Sequence, residues 1–254
     1  MKINTKSPLY VIAFAAVTSA VFTAGIVTLQ VATAARVERN EKMREYRALA
    51  ALFAPAWGLA DPAALSDQQV IDLVDARVDA SQTVTDDAEQ PPLAFRLYRA
   101  YADQAHKALV GVAIPVRGTG FWDLIEGRLA LSADLMEVTG LVFINQKETP
   151  GLGGRIMEPA FTDQFSKKVR GRQGREPLRA DPPAAPGHPF LYVGRGSPTG
   201  PADPRYARAV DAITGATQTS LAVERFLNTD LRRFRRAMAA AHAAPAADRP
   251  GGGP

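Results

Sequence analysis

The chain is 254 residues long, 46% hydrophobic and 22% charged, with a formal net charge of +4. That leaves room for one medium domain with appendages, and no charge excess that calls for a nucleic-acid partner. Cysteine is absent, which excludes disulfides, thiolate metal sites, iron–sulfur ligation and cysteine nucleophiles together. The three histidines, His106, His188 and His242, stand at no metal-site spacing.

In chain order, a short N-terminal tail (1–7) precedes an apolar run. No charged side chain occurs between Ser7 and Arg36, and a membrane span needs roughly 20 such residues. Residues 8–35 are therefore expected to form a transmembrane helix. A cleaved signal peptide is the rival reading, with Lys2 and Lys6 as its basic region and Ala32-Thr33-Ala34 as its cleavage site. The apolar run exceeds the ~7–15 residues of a signal core, which favours the anchor. Sidedness stays open on residues alone. Lys2 and Lys6 precede the span, while Arg36, Arg39, Lys42, Arg44 and Arg47 follow it, a count that would put the bulk of the chain in the cytoplasm. A large domain, however, can be translocated regardless of nearby charge.

Residues 36–60 read as a charged helical linker that prolongs the span. Glu38 and Lys42 sit four positions apart, and Pro55 ends the helix. Ser66-Asp-Gln-Gln69 is a capping-box start for a helix carrying Val70, Ile71, Leu73 and Val74. Asp86 to Pro92 is a polar break. Three β-rich runs then follow, Ala108–Val116, Trp122–Leu131 and Val138–Asn145, separated by Gly- and Asp-containing turns as neighbours in an antiparallel sheet would be.

Phe161 to Val169 reads as a short helix. Gly171 to Pro189 reads as a loop, bordered by or holding Arg170, Arg172, Arg175 and Arg179, either solvated or a partner contact. A final helix is expected from near Ala216, with Val223, Phe226, Leu227, Leu231 and Phe234 along one face. Arg232, Arg233, Arg235 and Arg236 crowd its C-terminal part, where positive charge complements the helix dipole. The Ala-, Pro- and Gly-rich tail, 239–254, is expected to be disordered.

Two motifs carry the chemistry. Asp211-Ala-Ile-Thr-Gly-Ala-Thr217 is a Gly-containing turn feeding a helix, and Thr214, Thr217, Thr219 and Ser220 gather hydroxyls there. Backbone N–H groups at a helix N-terminus suit a phosphate, although plain capping by Thr or Ser explains the same residues. Lys147-Glu-Thr-Pro-Gly-Leu-Gly-Gly-Arg155 follows a strand with three glycines and a proline, so its backbone can approach a flat ligand closely. An ordinary connection is the alternative there.

The pair, Glu148-Thr-Pro-Gly-Leu-Gly153 with Asp211-x-x-Thr-Gly-Ala-Thr217, resembles the FMN-binding domain of respiratory flavoproteins. That family includes the C subunit of the sodium-translocating NADH:quinone oxidoreductase and the G subunit of the Rnf complex. Gly120-Phe-Trp-Asp-Leu-Ile-Glu-Gly-Arg-Leu-Ala-Leu131 strengthens the likeness to the former. The resemblance implies an α+β fold: one N-terminal transmembrane helix, then a single FMN-binding domain over 61–238 with a mainly antiparallel sheet flanked by helices. It implies covalent FMN, its phosphate esterified to Thr217 by a separate flavin transferase that uses FAD. Asp211, Thr214, Gly215 and Ala216 complete the recognised sequence. Glu148, Thr149, Gly151 and Leu152 would line the isoalloxazine side. Trp122 is a candidate to stack near the ring, with a core position as its alternative.

The implied role is an electron-transfer subunit in the bacterial inner membrane, working with other subunits of a membrane redox complex and not catalytic alone. Its flavin domain would lie in the periplasm. The chain has no G-x-G-x-x-G nucleotide motif. An Rnf-type subunit, or a flavin-free membrane-tethered assembly protein whose basic loop contacts partners or anionic lipid, are the competing readings.

Overall fold

A computed structural model describes residues 7–183, 188–194, 196, 198, 200, 202–203 and 205–243. The first element is a single helix, α1 (Pro8–Phe53), of 46 residues. It is the one helix among the described residues long and apolar enough to cross a membrane. Its apolar side chains, among them Leu9, Ile12, Phe14, Phe22, Ile26 and Leu29, are exposed along the N-terminal part, as a lipid-facing surface requires. The hydroxyl of Thr33 returns to the carbonyl of Leu29 at 2.8 Å, so this polar group is satisfied within the helix.

The chain divides into two compact units, one ending at Arg44 and one beginning at Glu45. The second unit is α+β, as expected, and includes the last turns of α1. After α1 come α2 (Asp67–Arg77), β1 (Val78–Asp79), β2 (Thr83–Asp86), β3 (Leu93–Arg96), β4 (Tyr98–Tyr101), β5 (Leu109–Thr119), β6 (Leu124–Ser132) and β7 (Glu137–Asn145). Then follow α3 (Pro159–Thr162), α4 (Lys167–Arg172), β8 (Leu178–Arg179), β9 (Tyr192–Gly194), β10 (Ala209–Asp211) and α5 (Thr217–Ala243). The capping box of α2 forms as read: Ser66 Oγ accepts from the Gln69 amide and Gln69 Oε1 accepts from the Ser66 amide.

The main sheet has six strands in the order β1-β4-β5-β6-β7-β8, antiparallel at every pairing. The expected hairpins are the long central ones, with Val112 opposite Leu131 and Arg128 opposite Val142. Strand alternation sorts the side chains onto two faces. Val112, Ile114 and Val116 join Ile125, Leu129, Leu131 and Phe143 in the main core with Val223, Phe226, Leu227, Leu231 and Phe234 of α5. The opposite face is built of small residues. A Cβ placed on Gly111 would lie 3.3 Å from the Phe53 ring, and one on Gly140 would lie 3.0 Å from Leu52, so the end of α1 packs close to the sheet there. Glu45 anchors that end: Arg128 Nη2 donates to it at 2.6 Å and the Tyr98 hydroxyl also donates to it. Burial pushes its carboxyl up, but these two donors outweigh burial and hold it below the usual range.

Four local expectations change. The helix expected over 161–169 breaks into α3, a 3-10 turn and α4, because Ser166 caps a new start by accepting from the Val169 amide. The basic loop contains the edge strand β8, and Arg170 is fully buried, with Nε donating to the Glu176 carbonyl at 2.6 Å. Residues 184–187 of that loop lie outside the described residues. The arginines of α5 do not end the helix, which runs on to Ala243 into the tail expected to be disordered. Arg236 instead grips the buried Asp86 at 2.6 Å, and Arg233 and Arg236 both reach Glu89. The polar break is thus a hairpin loop tied to α5. Residues 244–254 of the tail lie outside the described residues.

Candidate functional site

The β5–β6 connection, the loop after β7 and the N-terminus of α5 converge on one cleft of about 530 Å³, within the range of small-molecule sites. Each wall follows from local sequence. Gly120 to Asp123 closes a tight turn, the Gly120 amide donating to the Asp123 carbonyl at 2.8 Å. This pushes Phe121 and Trp122 outward; Trp122 is 66% exposed, which rules out the core alternative for it. In the second loop the Thr149 carbonyl accepts from Leu152 at 3.1 Å and Gly154 at 3.0 Å, curling the chain so that Leu152 faces the cleft. Gly151 sits there at φ +75°. The third wall is the turn into α5, where Gly215 adopts φ +84°, a conformation glycine adopts without strain.

These walls are bonded to one another. Glu148, only 4% exposed, accepts at Oε1 from the Phe121 amide (2.9 Å) and the Trp122 amide (3.0 Å), and at Oε2 from the Thr219 hydroxyl (2.6 Å). A carboxylate only accepts, so it matches three donors. The indole N–H of Trp122 donates to Thr149 Oγ1 at 2.9 Å, so the ring is exposed yet fixed in orientation. At the rim, Lys147 and Asp123 pair at 2.7 Å. That pair holds the Asp123 carboxyl below the usual range, through the Lys147 bond first, and being exposed it adds little to stability.

The hydroxyls of the α5 turn are not equivalent. Thr219 is committed to Glu148. Ser220 is buried, donates to the Ala216 carbonyl at 3.0 Å and accepts from the Ile213 amide at 3.1 Å. Thr214 is exposed but lines a different depression, of about 400 Å³, together with Asp211, Arg155, Gln164 and Arg175. Thr217 is exposed and lines the cleft.

Of the residues read from the sequence, Thr217, Gly215, Ala216, Glu148, Thr149, Leu152 and Trp122 therefore meet at one cleft. Asp211 and Thr214 face the neighbouring depression, and Gly151 shapes the loop. Phe121, Gly153, Gln218 and Thr219 also line the cleft, and sequence reasoning did not single them out as wall residues. Phe121 adjoins Trp122 and Gly153 belongs to the Gly-rich motif, so both had a signal. The Glu148–Thr219 bond spans 71 positions and had none.

The arrangement suits a flat ring with a phosphate tail. Apolar Phe121, Trp122 and Leu152 offer faces for the ring. The first N–H groups of the 27-residue α5 lack intrahelical acceptors, and since Thr217 and Gln218 line the cleft, the positive end of the helix dipole stands at its wall, where an anionic group is favoured. No acidic side chain stands in that first turn to oppose an anion.

Comparison with known proteins agrees with this geometry. Residues 120–231 match the FMN-binding domain family. The Na(+)-translocating NADH-quinone reductase C subunit of Pseudomonas aeruginosa is 28% identical over 260 residues, covering 89% of this chain and 90% of that protein. Its namesake from Pasteurella multocida is 34% identical over 109 residues, but the match spans only 43% of this chain and 35% of that protein. The crystal structure of the Na(+)-translocating NADH-quinone reductase C subunit from Parabacteroides distasonis superposes with a TM-score of 0.56 over 80% of this chain and 95% of that one, at 16% identity, which establishes a shared fold. The stretch that matches the FMN-binding domain family, residues 120–231, holds every wall of the cleft.

Proposed function

We propose that this protein carries FMN esterified through its phosphate to Thr217 and serves as the electron-transfer subunit of a membrane NADH:quinone oxidoreductase of the sodium-translocating type. One observation carries the attachment site. Of the four hydroxyls in the α5 turn, Thr217 alone is both exposed and in the cleft, while Thr219 and Ser220 are consumed by internal bonds and Thr214 faces elsewhere. The relatives named above favour this reading over an Rnf-type subunit.

Attachment is a phosphoryl transfer from FAD, made by a flavin transferase. The Thr217 oxygen bonds to the phosphorus on the FMN side, the bond from that phosphorus to the bridging oxygen breaks, AMP leaves, and the hydroxyl proton is released. Bound FMN would supply the redox chemistry, accepting and giving up electrons. The chain's own residues hold and shape the site. The α5 N-terminus stabilises the phosphodiester charge, Trp122 and Leu152 face the ring, and Thr149 fixes the indole. Asp211 and Thr214, turned away from the cleft, are available to the transferase from the other side.

Anchoring by α1 would hold the domain at the inner membrane, with the flavin domain in the periplasm and other subunits of the complex as electron donor and acceptor. A cleft whose aromatic wall is open to solvent suits transfer between proteins. In-gel flavin fluorescence of the denatured chain, co-expressed with a flavin transferase, tests the attachment. The wild type should fluoresce and Thr217→Ala should be dark with its fold intact. A dark wild type, beside a known acceptor that fluoresces, would overturn the proposal.

A further inference from the structure

Glu148 lines the cleft, yet both of its oxygens are taken by protein donors from two separate walls. Two glycines show how closely the surroundings fit around it. A Cβ on Gly120 would sit 2.5 Å from Glu148 Oε1. One on Gly153 would sit 2.7 Å from Glu148 Oε2 and 2.5 Å from Thr219 Oγ1. Neither position accepts a methyl group without displacing the carboxylate, so backbone from both loops is drawn in around this one side chain. The side chain is buried within a few residues of the ring's proposed seat, where a fixed charge is poorly screened.

We propose that Glu148 is a positioning residue: its carboxylate clasps the Gly120–Trp122 turn to the first turn of α5, and its charge lowers the reduction potential of the flavin in the cleft. The second half rests on the function proposed above; the clasp does not. Holding Trp122 and Thr217 in one frame fixes the ring wall relative to the attachment point. Electrons added to a ring beside a fixed negative charge are repelled, so the oxidised cofactor is favoured.

The test uses the full chain in detergent, co-expressed with a flavin transferase, as wild type, Glu148→Gln, Glu148→Ala, Thr219→Val and the Gln/Val double variant. Glutamine keeps a carbonyl for the Phe121 and Trp122 amides and removes the charge. Measured on the flavin-loaded fraction, its midpoint potential should move to a more positive value. Alanine removes the clasp. In cofactor-free chains its Phe121 and Trp122 amides should exchange with deuterium faster, by on the order of tenfold. Effects of Glu148→Gln and Thr219→Val on the potential should be non-additive, as for directly coupled groups. An unchanged potential in a fully loaded Glu148→Gln chain would overturn the electrostatic role. Unchanged exchange at residues 121 and 122 in the alanine variant would overturn the clasp. A wild type that takes up no flavin would instead refute the functional reading, and the exchange experiment on the apo chain would still decide the clasp.

Discussion

Asp230 lies in the middle of α5 with its side chain 5% exposed. It accepts from the Arg117 amide at 2.8 Å, and the nearest cation on its own helix, Arg233, stands 3.8 Å away. Burial dominates and pushes the carboxyl from its ordinary 3.8 up to about 6, against the Arg117 bond and the charges of Arg233 and Arg117. Because the folded-state value is raised, the native protein binds more protons than the unfolded chain between pH 3.8 and about 6. Stability from this group therefore rises as pH falls through 6 and levels off below 3.8. At neutral pH the buried charge costs about 3 kcal/mol. Asp230→Asn keeps an acceptor for Arg117 and removes the charge, at the loss of a weak attraction to Arg233. The variant should be more stable than wild type by about 1–3 kcal/mol at pH 7 and nearly equal at pH 4. Denaturant unfolding of both chains at pH 4, 5, 6 and 7 measures this, and the difference cancels the other carboxylates. A variant less stable at pH 7, or a difference that does not change with pH, would refute the reasoning.

Three further substitutions probe the packing. Gly118→Ala places a Cβ 2.3 Å from Phe226 Cβ and should force α5 off β5, costing about 1–3 kcal/mol or more in denaturant unfolding. Gly171→Ala, in α4 with nothing within 4 Å of the new methyl, should stabilise by about 0.5–1 kcal/mol. Arg170→Ala removes a buried guanidinium that donates to the carbonyls of Glu176, Gln164 and Tyr206. It should destabilise by roughly 2–5 kcal/mol, with Arg170→Lys recovering part of the loss as judged by thermal unfolding.

Periodicity and punctuation made much of the fold readable. The apolar stripe of α5 from Val223 to Phe234 points inward as written, and the runs ending at Leu131 and Asn145 pair as neighbours. The capping box at Ser66 uses only residues three positions apart, so it too was visible. Side-chain partners distant in sequence were not. Arg170 reads like Arg172 and Arg175 in a basic stretch, and only the fold surrounds it with carbonyls. The arginines of α5 suggested a helix end, yet their partners Asp86 and Glu89 lie about 150 residues away. The site shows the same division. Two short motifs marked the loop and the turn, but the sequence could not separate Thr214 from Thr217 by the depression each faces, nor join Glu148 to Thr219.

The function proposed for the cleft turns on a flavin bonded to one threonine of the turn into α5. Tandem mass spectrometry of peptides from the full chain, purified after co-expression with a flavin transferase, tests that bond most directly. A mass increase of one FMN phosphoester is expected on the peptide containing 211–220, with fragment ions placing it on Thr217. An unmodified peptide from a chain that nonetheless retains flavin, or fragments placing the adduct on Thr214 or Thr219, would contradict it.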